Sequence, residues 1–418
     1  MKTAKQTSRK LSKIGLTAVR KKLPAAVLSA LAALTIQAKA DSSNVQIYGR
    51  ANLDFEVIRV DGNAGRTDLP AGSTVVPNST RNAVVDDSSR VGFRGREDLG
   101  SGLAAIWQIE SRVHMDDGTA GFWGSRDSYV GLQQPSFGTL RLGRTIGPVY
   151  YATYDWISMH NYDTGTSADT LLAPTIFGNQ GFMNNVVWYS SPRYSGMTET
   201  LTPTSGFGVD VVYSPGPTSP QFENPNGLPG APTNTSKPYY FGIVGAYDQG
   251  PIHAALSYAQ TKNTSLLAGA PTTPSFILND DKAVTIGGSY DFKVAVVGAL
   301  YERAESDVFT TGVGVESVKR NYWRLAVKVP VGPGDFNVNV GWTDHRLDAK
   351  LDDDGATQWT VAYNYWLSKR TKVYVFYTAV DNKQNGNYIL PNYNFGEGFG
   401  QPAGVDYGSF AVGMAHNF

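Results

Sequence analysis

The stretch Val45-Gln46-Ile47-Tyr48-Gly49-Arg50-Ala51-Asn52-Leu53-Asp54-Phe55-Glu56 alternates without a break. Val45, Ile47, Gly49, Ala51, Leu53 and Phe55 fall on one face of an extended chain, and Gln46, Tyr48, Arg50, Asn52, Asp54 and Glu56 on the other. A water-soluble sandwich would bury the apolar face in a core. A barrel in an outer membrane turns the same face to lipid and the polar face to its lumen. Later segments repeat the pattern: Phe336, Val338, Val340 and Trp342 alternate with Asn337, Asn339 and Gly341, and Val373, Val375 and Tyr377 with Lys372, Tyr374 and Thr378. Trp323, Trp342, Trp359, Tyr363 and Tyr365 gather near strand ends, as girdle aromatics do at membrane interfaces, and this favours the barrel.

The connections alternate in length. Seven are compact: Asp98 to Gly102, Pro135 to Gly138, a looser Pro192 to Gly206, Asp248 to Ile252, Asp291 to Lys293, Pro330 to Asp335, and Ser368 to Thr371. Each joins two strands, so with the terminal strands they predict sixteen. Eight long polar loops lie near residues 58–88, 113–125, 145–183, 214–238, 260–281, 303–319, 343–357 and 380–405. The expected fold is therefore all-β: a 16-stranded antiparallel transmembrane barrel with short turns at one rim and long loops at the other. Closure follows because an open edge in hydrocarbon leaves backbone groups unpaired. Sixteen strands enclose an aqueous channel, whereas eight are filled by their own side chains.

The chain has 418 residues, no Cys and a formal net charge of zero. Its first 40 residues hold nine Lys or Arg and no acid, which leaves 27 basic against 36 acidic groups in the remainder. Basic residues, then the apolar run Leu23 to Ile36, then Ala38-Lys39-Ala40 have the order of a secretory signal. At 14 residues that run is short of the roughly 20 a spanning helix needs. Residues 1–40 are thus expected to be a cleaved signal peptide and 41–418 the barrel. No later run reaches the roughly 18 apolar residues of a membrane helix. A Cys-free chain sent to an oxidising compartment has no disulfide, so backbone pairing and packing must hold it. A mature chain with this acidic excess is not expected to bind nucleic acid.

Between Asp87 and Asp169, Arg90, Arg94, Arg112, Arg126 and Arg141 recur on segments whose alternate residues are apolar, and the loop beyond Arg144 carries Asp155, Asp163 and Asp169. The pattern reads as a wall of cations facing a loop of anions across a water-filled hole. Tyr48-Gly49-Arg50, Ser89-Arg90-Val91-Gly92-Phe93-Arg94-Gly95 with Glu97-Asp98-Leu99-Gly100, Ser125-Arg126-Asp127-Ser128-Tyr129-Val130-Gly131-Leu132, Phe137-Gly138-Thr139-Leu140-Arg141-Leu142-Gly143-Arg144 and Leu367-Ser368-Lys369-Arg370-Thr371 together resemble the general bacterial porins, chiefly their beta-proteobacterial branch. The resemblance implies a homotrimer in outer-membrane lipid and lipopolysaccharide. Its third loop would fold into each barrel, and ions and small hydrophilic solutes would cross passively.

By motif, Arg50, Arg90 and Arg126 match the basic constriction positions, and the terminal Phe418 matches the signal read by the outer-membrane assembly machinery. Arg94 and Arg141 join the basic wall from their facing alone. Asp155, Asp163 and Asp169 are rival constriction acids, because Tyr154-Asp155-Trp156-Ile157-Ser158-Met159-His160-Asn161-Tyr162-Asp163-Thr164-Gly165 stands where many relatives have a Pro-Glu-Phe-Gly-Gly tip. Phe182-Met183-Asn184-Asn185-Val186 likewise lacks a lumenal Arg found in many relatives.

In a channel about 10 Å wide, opposed charges lie within reach of the roughly 8 Å Debye length, so a transverse field survives physiological salt. No catalytic residue, metal or cofactor is expected. His114, His160, His253, His345 and His416 lack ligand spacing, neither a nucleophile elbow nor a phosphate loop occurs, and Asp352-Asp353-Asp354-Gly355 lacks the spacing of a calcium loop. Two alternatives stay open. Tyr150, Tyr151, Tyr154 and Trp156 could line a greasy track of a substrate-specific channel, or the barrel could be structural or adhesive, with a blocked lumen. The signal reading predicts that N-terminal sequencing of protein extracted from outer membranes starts at Asp41; a start upstream of the apolar run would contradict it.

Overall fold

The structure, a computed structural model, describes residues 44–67, 69, 74–118, 121, 123–147, 150, 166–171, 182–192, 206–215, 239–266, 278–310, 314–345, 352–391 and 402–418. All of its regular elements are strands: β1 Asn44–Asp61, β2 Ser79–Asp86, β3 Arg90–Gly100, β4 Leu103–Arg112, β5 Ser128–Gln134, β6 Gly138–Ile146, β7 Phe182–Ser190, β8 Gly206–Ser214 and β9 Tyr239–Gln249. They continue as β10 Ile252–Leu266, β11 Leu278–Asp291, β12 Val296–Thr310, β13 Gly314–Val331, β14 Gly334–Thr343, β15 Ala356–Trp366, β16 Thr371–Asn382 and β17 Asp406–Asn417. Neighbours pair antiparallel around one sheet, and β17 closes it on β1 with Arg50 opposite Asn417 and Asp61 opposite Asp406.

Seventeen segments make sixteen wall positions because β2 and β3 are halves of one strand. β2 pairs with Leu53–Val60 of β1, and β3 with Asn44–Arg50 of the same strand. The break falls at Asp87–Ser89, where Ser88 takes a left-handed φ of 62°. Hydrogen bonds patch the interruption. The Asp87 amide donates to the Asn52 carbonyl at 2.9 Å, the Asn52 amide to Ser89 Oγ at 3.0 Å, and Asn52 Nδ2 to the Asp87 carbonyl at 3.0 Å.

The expected facing holds. Ile47 is 63% exposed on the outer face of β1, whereas Tyr48, Asn52, Asp54 and Glu56 are buried on the inner one. Outside, Tyr301, Trp323 and Trp342 stand abreast on β12, β13 and β14, with 4.2 and 6.4 Å between successive ring centroids. A second aromatic level, Phe336 opposite Tyr363, lies six residues along β14 from Trp342. At about 3.4 Å per residue the two levels are roughly 20 Å apart, close to the apolar band of such barrels.

Two expected loops are shorter than their polarity suggested. Residues 58–88 contain the end of β1 and all of β2, and residues 303–319 contain the ends of β12 and β13, which pair as far as Thr310 opposite Gly314. Arg303, Glu305 and Asp307 make the outer face of β12 polar there, so hydropathy reads loop while the backbone ladder continues.

Inside, β7 to β13 carry apolar and small residues interspersed with polar ones. Trp188, Val212, Tyr240, Val244, Ala255, Ala283, Leu300 and Ala304 are buried in one cluster with Tyr150 and Leu171, which belong to the long connection between β6 and β7. That wall is shaped to be covered. At the seam, a Cβ on Gly413 of β17 would overlap the Tyr374 ring and the Cβ of Asp54. Gly413→Val should therefore destabilise closure by about 1–3 kcal/mol. This is read as a lower unfolding midpoint of the heat-modifiable gel band, and an unchanged midpoint would contradict the seam packing.

Candidate functional site

Antiparallel register places Arg50 of β1 opposite Arg90 of β3, and Arg90 opposite Arg112 of β4. Three lumen-facing arginines thus stand abreast at one height. Like charges opposite one another repel, and the surroundings answer with acceptors. Arg50 Nε donates to Asn417 Oδ1 at 3.0 Å, and Arg112 Nη2 reaches the Asp86 carbonyl at 3.4 Å. Glu110, two residues before Arg112, sits by Arg90, accepts from the Tyr48 hydroxyl at 2.9 Å and pairs with Arg126 Nε at 2.5 Å.

Arg126 reaches this group by an unexpected route. The sequence suggests a strand from Arg126 to Leu132, but β5 starts at Ser128 and its Val130 is 59% exposed to the outside. Unbroken alternation from Val130 would turn Arg126 outward too. A bend over residues 124–127, beginning at Gly124 with φ 72°, turns it inward instead. There its guanidinium lies 5.0 Å from the Phe182 ring, with Arg144 5.5 Å from the same ring. Arg144 also donates to Asn184, in the stretch that lacks the relatives' Arg.

Arg94 and Arg141 are less central. Arg94 lies over Tyr48 at 4.7 Å and donates to Gln46 at 2.9 Å. Arg141 is buried in the wall, 4.4 Å from Trp188 and 5.4 Å from Tyr129, and donates to Ser190 at 3.0 Å. Trp188 and Ser190 in turn donate to Asp210 at 2.6 and 2.5 Å. Phe418 lies on the outer face beside Gly49, with backbone hydrogen bonds of 3.0 and 3.1 Å between the two residues.

The third long connection leaves β6 at Ile146 and re-enters at Phe182, and its residues 168–171 lie against β13 and β15. Asp169 forms a buried ion pair with Arg324 of β13 and accepts from the Tyr322 hydroxyl. Arg320 donates to the Leu171 carbonyl. Gln358 of β15 donates to the Ala168 carbonyl and accepts from the Thr170 amide, both at 2.9 Å. The loop therefore crosses the lumen. The structure gives Asp169 to Arg324 rather than to the row on β1, β3 and β4, while Asp155 and Asp163 lie outside the described residues.

Arg320 and Arg324 are buried cations in contact with the third loop that the sequence reading missed. They were legible, since Arg320, Tyr322, Arg324 and Lys328 share one face of β13 with Trp323 and Leu325 on the other. Of the four aromatics suggested for a solute track, Tyr150 is buried in the apolar cluster, and Tyr151, Tyr154 and Trp156 lie outside the described residues.

Residues 25–385 match the family model of the Gram-negative porins. The chain belongs to that family. Among curated relatives, this porin is 30% identical to outer membrane porin protein 32 of Delftia acidovorans over 79% of its own length and 85% of the relative's. It is 28% identical to an outer membrane porin protein of Bordetella pertussis over 71% and 78%. Among solved structures, an anion-selective porin from Comamonas acidovorans aligns with a TM-score of 0.67 and 27% identity, over 90% of this porin and the whole of that chain. A trimer form of an outer membrane protein of Vibrio cholerae, 15% identical with a TM-score of 0.58 over 90% of this porin and the whole of that chain, shares the fold. This porin is accordingly an outer-membrane protein whose barrel forms a water-filled channel for ions and small hydrophilic solutes.

Removing one partner of a buried ion pair costs about 3–5 kcal/mol. Asp169→Asn should therefore loosen the loop in a folded barrel, raising open-channel noise and mean conductance in bilayer recordings. Traces indistinguishable from wild type would show that the pair does not hold the loop.

Proposed function

We propose that this porin is a general diffusion channel whose selectivity is set where the third loop passes the arginine row. The observation that carries the reading is the row itself. Arg50, Arg90 and Arg112 stand abreast on one wall with Arg126 beside them, and a loop anchored on β13 and β15 crosses the lumen. Charges lining a narrow aqueous passage bias ion choice. The passage is size-limited and its ion preference weak. Arg94 belongs to its approach and Arg141 supports its wall.

The working unit is a homotrimer, a reading supported by the trimer form of the structurally similar Vibrio cholerae protein. The barrel is embedded in outer-membrane lipid with lipopolysaccharide outside. Phe418, on the lipid face of the closing seam, is the residue offered to the assembly machinery. Residues 1–40 act before that as the export signal.

Neutralising Arg90 and Arg126 together, as Arg90→Ser with Arg126→Ser, should move the zero-current potential under a salt gradient toward cation preference and leave trimer mobility on gels unchanged. An unmoved potential would take these residues out of the selectivity site.

A further inference from the structure

Near their long-loop ends β6 and β7 fall out of register. Gly143 pairs with Val186 and Thr145 with Met183, so Arg144 alone is faced by both Asn184 and Asn185. Asn185 takes a left-handed φ of 57° there, which Asn tolerates better than most side chains. Such a bulge opens the ladder locally. Facing hydrocarbon, an open ladder is costly, so this one belongs in the headgroup layer. The aromatics agree. Leu142, Val187 and Tyr213 stand in register on β6, β7 and β8, and Tyr213 stacks on Tyr239 at 6.4 Å, as interface aromatics do. Arg144 lies two residues, about 7 Å, beyond Leu142 toward the long loops.

At the bulge the outer wall holds an open cleft of about 740 Å³, lined by Ser128, Leu142, Arg144, Asn185 and Val187 among others. That is within the roughly 300–1,000 Å³ of small-molecule sites. Its two halves differ in chemistry. Leu142 and Val187 are 51% and 41% exposed and make one half apolar. The other half is polar and carries a cation. Arg144 Nε donates to the Ser125 carbonyl at 3.0 Å and Nη1 to Asn184, and among the described residues no carboxylate pairs with it. Asp127, an acid close enough to act on its charge, already accepts from the Thr145 hydroxyl and, at 3.1 Å, from the Ile146 amide. An arginine on the lipid face is tolerated at the interface, and here its charge is left for an anion in that layer.

The geometry assigns this cleft to a phosphate-bearing lipid of the outer leaflet, with its phosphate on Arg144, its sugar hydroxyls on Asn185 and Ser128, and an acyl chain along Leu142 and Val187. A guanidinium suits phosphate because its fork of N–H donors matches two phosphate oxygens. Lipopolysaccharide is the lipid of that chemistry on the long-loop side, so the inference rests on the reading that it surrounds the barrel there. The third loop leaves β6 just past Arg144 and rejoins β7 just before Asn184. A lipid held in the cleft therefore braces the base of that loop from outside, while Arg324 holds Asp169 from within.

The test uses the refolded protein in neutral detergent, incubated with lipid A, with lipid A stripped of its phosphates, or with phosphatidylglycerol. Retained lipid is read by native mass spectrometry, and native barrels are scored by heat-modifiable gel mobility. Wild type should retain lipid A and hold the dephosphorylated form about tenfold more weakly. Arg144→Gln should lose the same factor for lipid A, and Arg144→Lys should recover part of it. Should Arg144→Gln fail to fold, Val187→Trp, which fills the cleft from the lipid side, carries the same comparison. Arg303→Gln, on the outer face of β12, should bind as wild type does. Undiminished binding by Arg144→Gln, or of the dephosphorylated form, would overturn the site while leaving lipopolysaccharide around the barrel. A wild type that retains no lipid A would overturn both, and equal retention of phosphatidylglycerol would overturn the assignment to the outer-leaflet lipid. Variants that change trimer mobility without changing lipid binding would also overturn it, by giving the cleft to a contact between copies of the chain.

Discussion

Backbone hydrogen bonding in hydrocarbon is the constraint from which this structure follows. With no water to satisfy an open edge, every strand in the bilayer must have a neighbour on both sides, and β17 on β1 is the pairing that meets the requirement for the whole sheet. The strand split into β2 and β3 shows how strict it is. Where the ladder is interrupted at Asp87–Ser89, Asn52 and Ser89 supply substitute hydrogen bonds from their side chains. That same interruption carries Asp87 inward, so one irregularity both preserves closure and shapes the lumen.

Closure inverts the usual distribution of polarity, and the third loop restores part of a conventional core. The inner wall from β7 to β13 bears Trp188, Tyr240, Leu300 and a series of alanines, and Tyr150 and Leu171 pack with them. Area removed from water by this contact holds the loop inward in general. Specific polar contacts fix where it lies: Asp169 with Arg324, Gln358 with the backbone on either side, and Thr166 beside Glu56. The arginine row stands on β1, β3 and β4. An asymmetric passage results, with a loop clamped on one side and an arginine row on the other.

Much of this was legible in the sequence because strand period and turn chemistry are local. Alternation from Val45 to Glu56 gave the correct inner and outer faces of β1, and the compact connections gave the strand number. What escaped was non-local or irregular. The first half of the second strand, β2, read as loop because polar residues surround it, whereas the second half, β3, was legible as a strand. Arg126 was placed in the lumen by motif, although the bend that takes it there cannot be seen in an alternation pattern. Asp169 looked like a free acid in a polar loop, and only the tertiary path of the chain reveals Arg324 as its partner, 155 residues further on. The cations of β13 were visible as a stripe, but no motif drew attention to them.

The central claim is a permanently open aqueous passage, narrowed but not closed by a clamped loop. Planar-bilayer recording of the refolded protein across a salt gradient tests it most directly. The account predicts stepwise, ohmic conductance that closes in thirds, with a small zero-current potential showing weak ion preference. Protein that inserts but conducts no ions, or conducts only until a particular solute saturates it, would contradict the account.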